Sequence, residues 1–250
     1  MAAAAVFAFL GGLLAGSFVT VVAHRVPRGE SIVGPRSLCP ACGTQIAAYD
    51  NVPVVSWALL RGRARCCGTA ISARYPLTEL TLAALYATTV LVLWGQPGEV
   101  ALGLVFVTML MAITLTDLER RIIPNKVLLA GALAAVAIAA IAMPGSLPER
   151  AAAAATAGGV LFAAALAYPR GMGLGDVKLA ATMGLFLGRA VAPAILVALL
   201  VGSLVGLAMI AREGASARKR AIPFGPFLAL GGVLGLLLGD QLIDWYLGTF

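Results

Sequence analysis

An all-α membrane protein, a bundle of about eight transmembrane helices with one sizeable polar loop, is the fold class that the sequence predicts. Three observations carry that expectation. Hydrophobic residues make up 61% of the 250 and charged residues only 12%, mean hydropathy is +0.98, and the apolar residues come in blocks of bilayer-spanning length. Backbone in lipid must satisfy its own hydrogen bonds, so these blocks are expected to be helices sharing one bundle.

The first block predicts a helix over 3–23. No basic residue precedes it, and the first positive charges, Arg25 and Arg28, follow it, which is not the order of a cleavable secretory signal. It is expected to remain in the mature protein. A polar loop over 24–77 comes next and holds all four cysteines. Further helices are predicted over 78–94, 100–116, 127–143, 151–168, 177–188, 191–211 and 224–247, with 177–188 the shortest. The expected division is a first helix (1–23), a cysteine loop (24–77) and a transmembrane bundle (78–250).

Charge orients these helices. If the N-terminus lies outside, the inside segments 24–77, 117–126, 169–178 and 212–223 hold 16 of the 18 Lys and Arg residues. Only Arg150 and Arg189 fall on the other side. Lys and Arg favour the cytoplasmic side, so both termini are expected outside a bacterial inner membrane. The net charge of +7 does not point to nucleic acid, because the cations sit between apolar blocks and form no basic domain with interleaved aromatics. Lipid headgroups are their expected partners. Gly12 with Gly16, Gly202 with Gly206, and Gly235 with Gly239 stand four apart, a spacing expected to let helix backbones approach closely.

Two acids stand at predicted helix ends. Asp117 closes the third helix in Thr116-Asp117-Leu118-Glu119-Arg120-Arg121, and Asp176 follows a glycine-rich turn in Gly171-Met172-Gly173-Leu174-Gly175-Asp176. Acids at membrane depth are rare and mark function. Two carboxylates sharing a partly desolvated site cannot both ionise easily, so one keeps its proton while the other activates water. Which of the two is protonated is left open. Gly173 and Gly175 are expected to adopt positive φ, to let a substrate backbone approach, and to act as a hinge. The turn is not a dinucleotide site, since no strand precedes it. A serine or cysteine protease would need a base, and the sole histidine, His24, ends the first helix among cations.

In the loop, Cys39 and Cys42 form a Cys-Xaa-Xaa-Cys knuckle, followed after a gap by the adjacent Cys66 and Cys67. Facing a reducing compartment, they suggest a metal, zinc, rather than disulfides. Side chains of adjacent cysteines diverge, so three ligands or a distorted site are the alternatives to full coordination.

The chain resembles the prepilin peptidase family, the bifunctional leader peptidases and N-methyltransferases of type IV pilus and type II secretion systems. The matching segments are Gly16-Ser17-Phe18, Arg25-Val26-Pro27-Arg28-Gly29-Glu30-Ser31, Cys39-Pro40-Ala41-Cys42-Gly43, Tyr49-Asp50-Asn51-Val52-Pro53, Arg74-Tyr75-Pro76, the two aspartate motifs and Ile222-Pro223-Phe224-Gly225-Pro226. The resemblance implies an aspartic endopeptidase whose catalytic residues fall on Asp117 and Asp176, and which cuts a short basic leader from a prepilin or pseudopilin on the cytoplasmic side. It further implies N-methylation of the new N-terminus from S-adenosylmethionine by the cysteine loop. Glu79 is then a candidate for binding the cofactor or the substrate amine. The family's second knuckle is also Cys-Xaa-Xaa-Cys, which puts Ala64 where its first cysteine belongs. The rival readings are a proton- or ion-coupled transporter, disfavoured by the border position of the acids and the lack of repeated halves, and a noncatalytic assembly factor.

Overall fold

The computed structural model describes residues 1–34, 36–169, 172–214 and 222–248. Gly171 of the glycine-rich turn and most of the predicted inside segment 212–223 lie outside the described residues. The chain forms two compact units, Met1–Trp94 and Gly95–Phe250. No strand occurs among the described residues.

The first unit pairs α1 (Ala2–Arg25) with α3 (Arg74–Val92). A Cβ on Gly12 would lie 2.5 Å from Ala83 Cα, and one on Gly16 would lie 2.6 Å from Glu79 Cα. The two backbones therefore touch, as the four-residue glycine spacing predicts. The loop between them carries a short helix, α2 (Val55–Leu59), and the four cysteines.

The second unit contains α4 (Pro97–Arg120), α5 (Asn125–Ala142), α6 (Leu147–Ala167), α7 (Leu174–Leu187), α8 (Val191–Glu213) and α9 (Gly225–Gly248). Sequence sets the ends of several of them. Pro97 stands in the first turn of α4, and Arg121 ends α4 in a left-handed conformation with φ 55°. Pro124 holds the extended backbone that precedes α5. The core is built on α4, α7 and α9, with Phe106, Ile113, Leu179, Met183, Phe186 and Leu228 fully buried. The Phe106 and Phe186 rings stack with centroids 4.9 Å apart. Leu133, Ile141, Val160 and Leu196 face outward, where a lipid solvent needs no polar group.

Among the described residues, seven stretches are long and apolar enough to cross a membrane. One of them, Leu174–Glu213, runs for 40 residues and carries both α7 and α8, so the eight predicted helices all appear. The break between the two is Gly188, at φ 54° and ψ −134°. At 14 residues α7 is about 21 Å long, shorter than a bilayer core of about 30 Å. Cβ atoms on Gly235 and Gly239 would lie 2.7 and 2.6 Å from the Cβ atoms of Ala194 and Ala190, another close approach. Among the described residues nothing lies within 4 Å of a Cβ on Gly206, so the close approach expected there is not seen among them.

The two cations outside the predicted charge pattern are both engaged. Arg150 is buried in α6. Its guanidinium pairs with Glu99, donates to the Phe186 carbonyl at 2.5 Å and reaches the Ser146 hydroxyl at 3.0 Å. It thus satisfies a carbonyl at the C-terminal end of α7 that the helix cannot bond itself. Arg189 pairs with Asp240 at 2.8 Å and with Asp244 at 3.3 Å.

Candidate active site and cysteine cluster

Both singled-out aspartates are buried, with 5% exposure at Asp117 and 9% at Asp176. Asp117 occupies the last turn of α4, and its Oδ2 accepts the backbone N–H of Gly225 at 2.9 Å. Gly225 opens α9, so this N–H is one of the donors that a helix start leaves unbonded, and it points at a carboxylate. Asp176 lies in the first turn of α7. Its Oδ2 reaches back to the Gly173 N–H at 3.1 Å, the carboxylate half of a capping box.

The connection between α4 and α5 brings the two acids together. Ile123 in that connection packs beside Gly175, where an added Cβ would lie 3.2 Å from the Ile123 Cβ. Lys178 Nζ donates to Asn125 Oδ1 at 3.1 Å, tying the start of α7 to the start of α5. The result is that the last turn of α4, which carries Asp117, and the first turn of α7, which carries Asp176, are both set against this one connection. Each carboxylate is oriented by a backbone N–H, a bond that a side-chain rotation cannot easily shed. Such a pair can hold one proton between two acids and deprotonate water with the other.

The positive φ expected of the two glycines is not what they adopt. Gly173 has φ −83°, and neither it nor Gly175 is among the positive-φ glycines of the described residues. Gly175 sits inside the first helical turn, where an added Cβ would press on the Ile123 side chain. The residue that sequence reasoning did not single out is Gly225. A Cβ there would lie 2.7 Å from Asp117 Oδ2. Its signal was present as part of Ile222-Pro223-Phe224-Gly225-Pro226, but nothing local links that motif to an acid 108 positions earlier.

In the first unit Glu79 is buried at the start of α3. Its Oε2 accepts the Val54 N–H at 2.7 Å, and Ser17 of α1 also bonds the carboxylate. Val54 has φ 62° and ψ −49°, and the Val55 N–H donates to the Pro53 carbonyl at 2.6 Å. This is a γ-turn centred on a β-branched residue, a costly conformation that Glu79 holds in place.

The four cysteine sulfurs all lie within 4.8 Å of one another, with Cys39 buried and the other three exposed. Cys42 and Cys66 are 3.3 Å apart, Cys39 and Cys67 3.6 Å, and the adjacent Cys66 and Cys67 3.8 Å. Sulfurs around a tetrahedral zinc ion stand about 3.8 Å apart, since each Zn–S bond is about 2.3 Å. The donor set therefore fits zinc, and the divergence expected of adjacent cysteines does not keep their sulfurs apart. Hydrogen bonding with the Thr44 hydroxyl and backbone lowers the pKa of the Cys42 thiol to about 6, whereas the bond with Cys42 pushes that of Cys66 up to about 12. His24 has no part in this cluster.

Residues 10–93 match the model described as the bacterial peptidase A24 N-terminal domain, and residues 104–211 match that of the type IV leader peptidase family. The chain belongs to the type IV leader peptidase family. Relatives named prepilin leader peptidase/N-methyltransferase match it along most of its length. The one from Aeromonas salmonicida is 34% identical, covering 96% of this chain and 93% of its own. That from Bacillus subtilis is 33% identical with 96% of each chain covered, and that from Myxococcus xanthus is 39% identical over 84% of this chain and 64% of its own. No solved structure matches the chain significantly. In this leader peptidase family member the second matched region contains both buried aspartates, and the first contains the cysteine cluster and Glu79.

Proposed function

We propose that the protein is a membrane aspartic endopeptidase that removes the leader from type IV prepilin-like proteins, with Asp117 and Asp176 as its catalytic pair. The observation that carries this reading is the burial of two carboxylates, each accepting a backbone N–H, in the last turn of α4 and the first turn of α7 of one lipid-facing helical unit. The ionised acid takes a proton from water, and the water attacks the scissile carbonyl. The protonated acid polarises that carbonyl and then delivers a proton to the departing amine. Family membership and the printed names of the relatives support leader cleavage.

The distribution of Lys and Arg supports a cytoplasmic-side position for the acids at an inner membrane, where a short basic leader would meet them. Prepilins or pseudopilins are the proposed partners within the membrane. N-methylation of the new N-terminus from S-adenosylmethionine belongs to the first unit by the same family relation. Among its described residues the contacts single out no cradle for that cofactor. Glu79, expected to bind cofactor or substrate amine, supports a positioning role, because its carboxylate already bonds Val54 and Ser17. The cysteine cluster would hold zinc as a clamp on the loop fold, outside the peptidase chemistry.

The test is leader removal from a prepilin in membranes by the wild type, Asp117→Asn and Asp176→Asn, with mass spectrometry of the mature N-terminus. Cleavage by the wild type alone supports the dyad. Full cleavage by either inserted variant rejects it.

A further inference from the structure

The cysteine loop is one short unit used twice. At a constant offset of 25, Cys39, Cys42, Gly43, Thr44 and Ile46 correspond to Ala64, Cys67, Gly68, Thr69 and Ile71. The hydrogen bonds follow the same offset. Cys39 N–H donates to Thr44 O at 2.8 Å and Ala64 N–H to Thr69 O at 2.8 Å. Gly43 donates to Cys39 O at 2.9 Å and Gly68 to Ala64 O at 2.8 Å. Ile46 donates to Ser37 O at 2.9 Å and Ile71 to Gly62 O at 2.7 Å. The turn glycines have φ 72° and 71°, and the sulfurs of Cys42 and Cys67 lie 3.3 and 3.2 Å from the hydroxyls of Thr44 and Thr69.

Only one sulfur breaks the correspondence. Position 64, the counterpart of Cys39, is alanine, and Cys66 has as its own counterpart Ala41. Had Cys66 been a bystander, the backbone repeat alone would have given it no reason to face the other thiols. Its sulfur instead lies 3.3 Å from Cys42 and 3.8 Å from Cys67, inside the four-sulfur group.

We propose that Cys66 supplies the fourth thiolate of a tetrahedral zinc centre, filling from two positions further along the knuckle the coordination place that Ala64 has left vacant. The inference rests on reading the cluster as a zinc site. Four soft sulfur donors in a tetrahedral set select zinc over harder divalent ions. The centre is therefore lopsided, with one knuckle ligating through residues three apart and the other through neighbours.

Full-length protein in detergent, stripped of metal, is titrated with Co²⁺ and then competed with Zn²⁺. The sulfur-to-cobalt absorption counts bound thiolates and does not depend on activity. Wild type is expected to bind one ion per chain through four thiolates. Cys66→Ala is expected to lose one thiolate's share of that absorption and to bind more weakly by over about 100-fold, beyond the usual cost of losing a partner that merely orients a ligand. The double variant A64C/C66A returns the cysteine to the register of the first knuckle and is expected to regain the full absorption and an affinity within about tenfold of wild type. That recovery separates ligand loss from misfolding. An unchanged spectrum in Cys66→Ala, a double variant as weak as the single one, or a wild type that takes up no ion overturns the proposal. Leader cleavage, measured on the same wild-type preparation, reports on Asp117 and Asp176 separately, so a failed titration beside intact cleavage rejects the zinc ligand and leaves the peptidase reading standing.

Discussion

Gly225 donates its backbone N–H to Asp117 Oδ2 at 2.9 Å, and the same oxygen would lie 2.7 Å from any Cβ placed on that glycine. The start of α9 is thus both the hydrogen-bond partner of the acid and the wall against which it rests. Gly225→Ala is expected to displace the carboxylate by some tenths of an ångström, at a packing cost of about 1–3 kcal/mol. Misplaced catalytic groups lose roughly 100-fold in rate, so leader cleavage should fall by about one to two orders of magnitude in a protein that still inserts and folds. Wild-type cleavage rates in this variant would show that the contact does not position Asp117.

Ile123 beside Gly175 leads to a related expectation. An alanine at 175 meets the Ile123 Cβ at 3.2 Å, a tight contact that the branched side chain must yield to. Ile123→Gly removes that Cβ and makes room. Gly175→Ala should lower cleavage several-fold, and the double variant with Ile123→Gly should recover part of it. If Ile123→Gly gives no recovery, the steric account of Gly175 is wrong and a hinge role returns.

Arg150 holds the far end of α7. Arg150→Met keeps an apolar stem but leaves Glu99 and the Phe186 carbonyl without their cationic partner. Breaking one side of a buried pair typically costs about 3–5 kcal/mol, so the variant should unfold at a markedly lower temperature in detergent. Adding Glu99→Gln should return part of the loss. Equal melting temperatures for wild type and Arg150→Met would contradict the buried pairing.

Glu79 and Val54 define a fourth test, this time in the first unit. Glu79→Gln replaces a charge-assisted bond with a weaker neutral one and should free the turn around Val54, visible as faster amide exchange over residues 49–60. Because the aspartate pair lies in the other unit, methylation of the mature N-terminus should suffer more than leader cleavage. Equal losses of both, read by mass spectrometry of one product, would refute this division of labour.

Metal removal gives the fifth. With zinc chelated, the loop loses its clamp, and proteolysis between Cys39 and Cys67 should accelerate while the helices of the second unit stay protected. A mild oxidant should then join Cys39 to Cys67 and Cys42 to Cys66, whose sulfurs already lie 3.6 and 3.3 Å apart. Peptide mapping that finds no bridge between the knuckles would count against the cluster.

The helices were legible because lipid imposes a length and a composition on any span, and these are local properties of the chain. The two aspartates were legible for the same reason, as charges where the surrounding solvent tolerates few. What escaped depends on partners far away in sequence. Nothing near Gly225 announces Asp117, and nothing near Val54 announces Glu79. Arg150 read only as an exception to the charge pattern, because its partners Glu99 and Phe186 come from two other helices. The second knuckle was legible through the family resemblance, with Ala64 as its departure, whereas the hydrogen bonds that repeat those of the first knuckle belong to the folded backbone.

The shortness of α7 bears on how a reaction that consumes water can proceed beside lipid. At about 21 Å, α7 is roughly 9 Å shorter than a hydrocarbon layer of ordinary thickness. A short span thins the bilayer around it and draws lipid heads and their hydration inward. Asp176 rides on the first turn of that short helix, so under the proposed peptidase reading the thinned and wetted lipid would lie beside the acid that works on water.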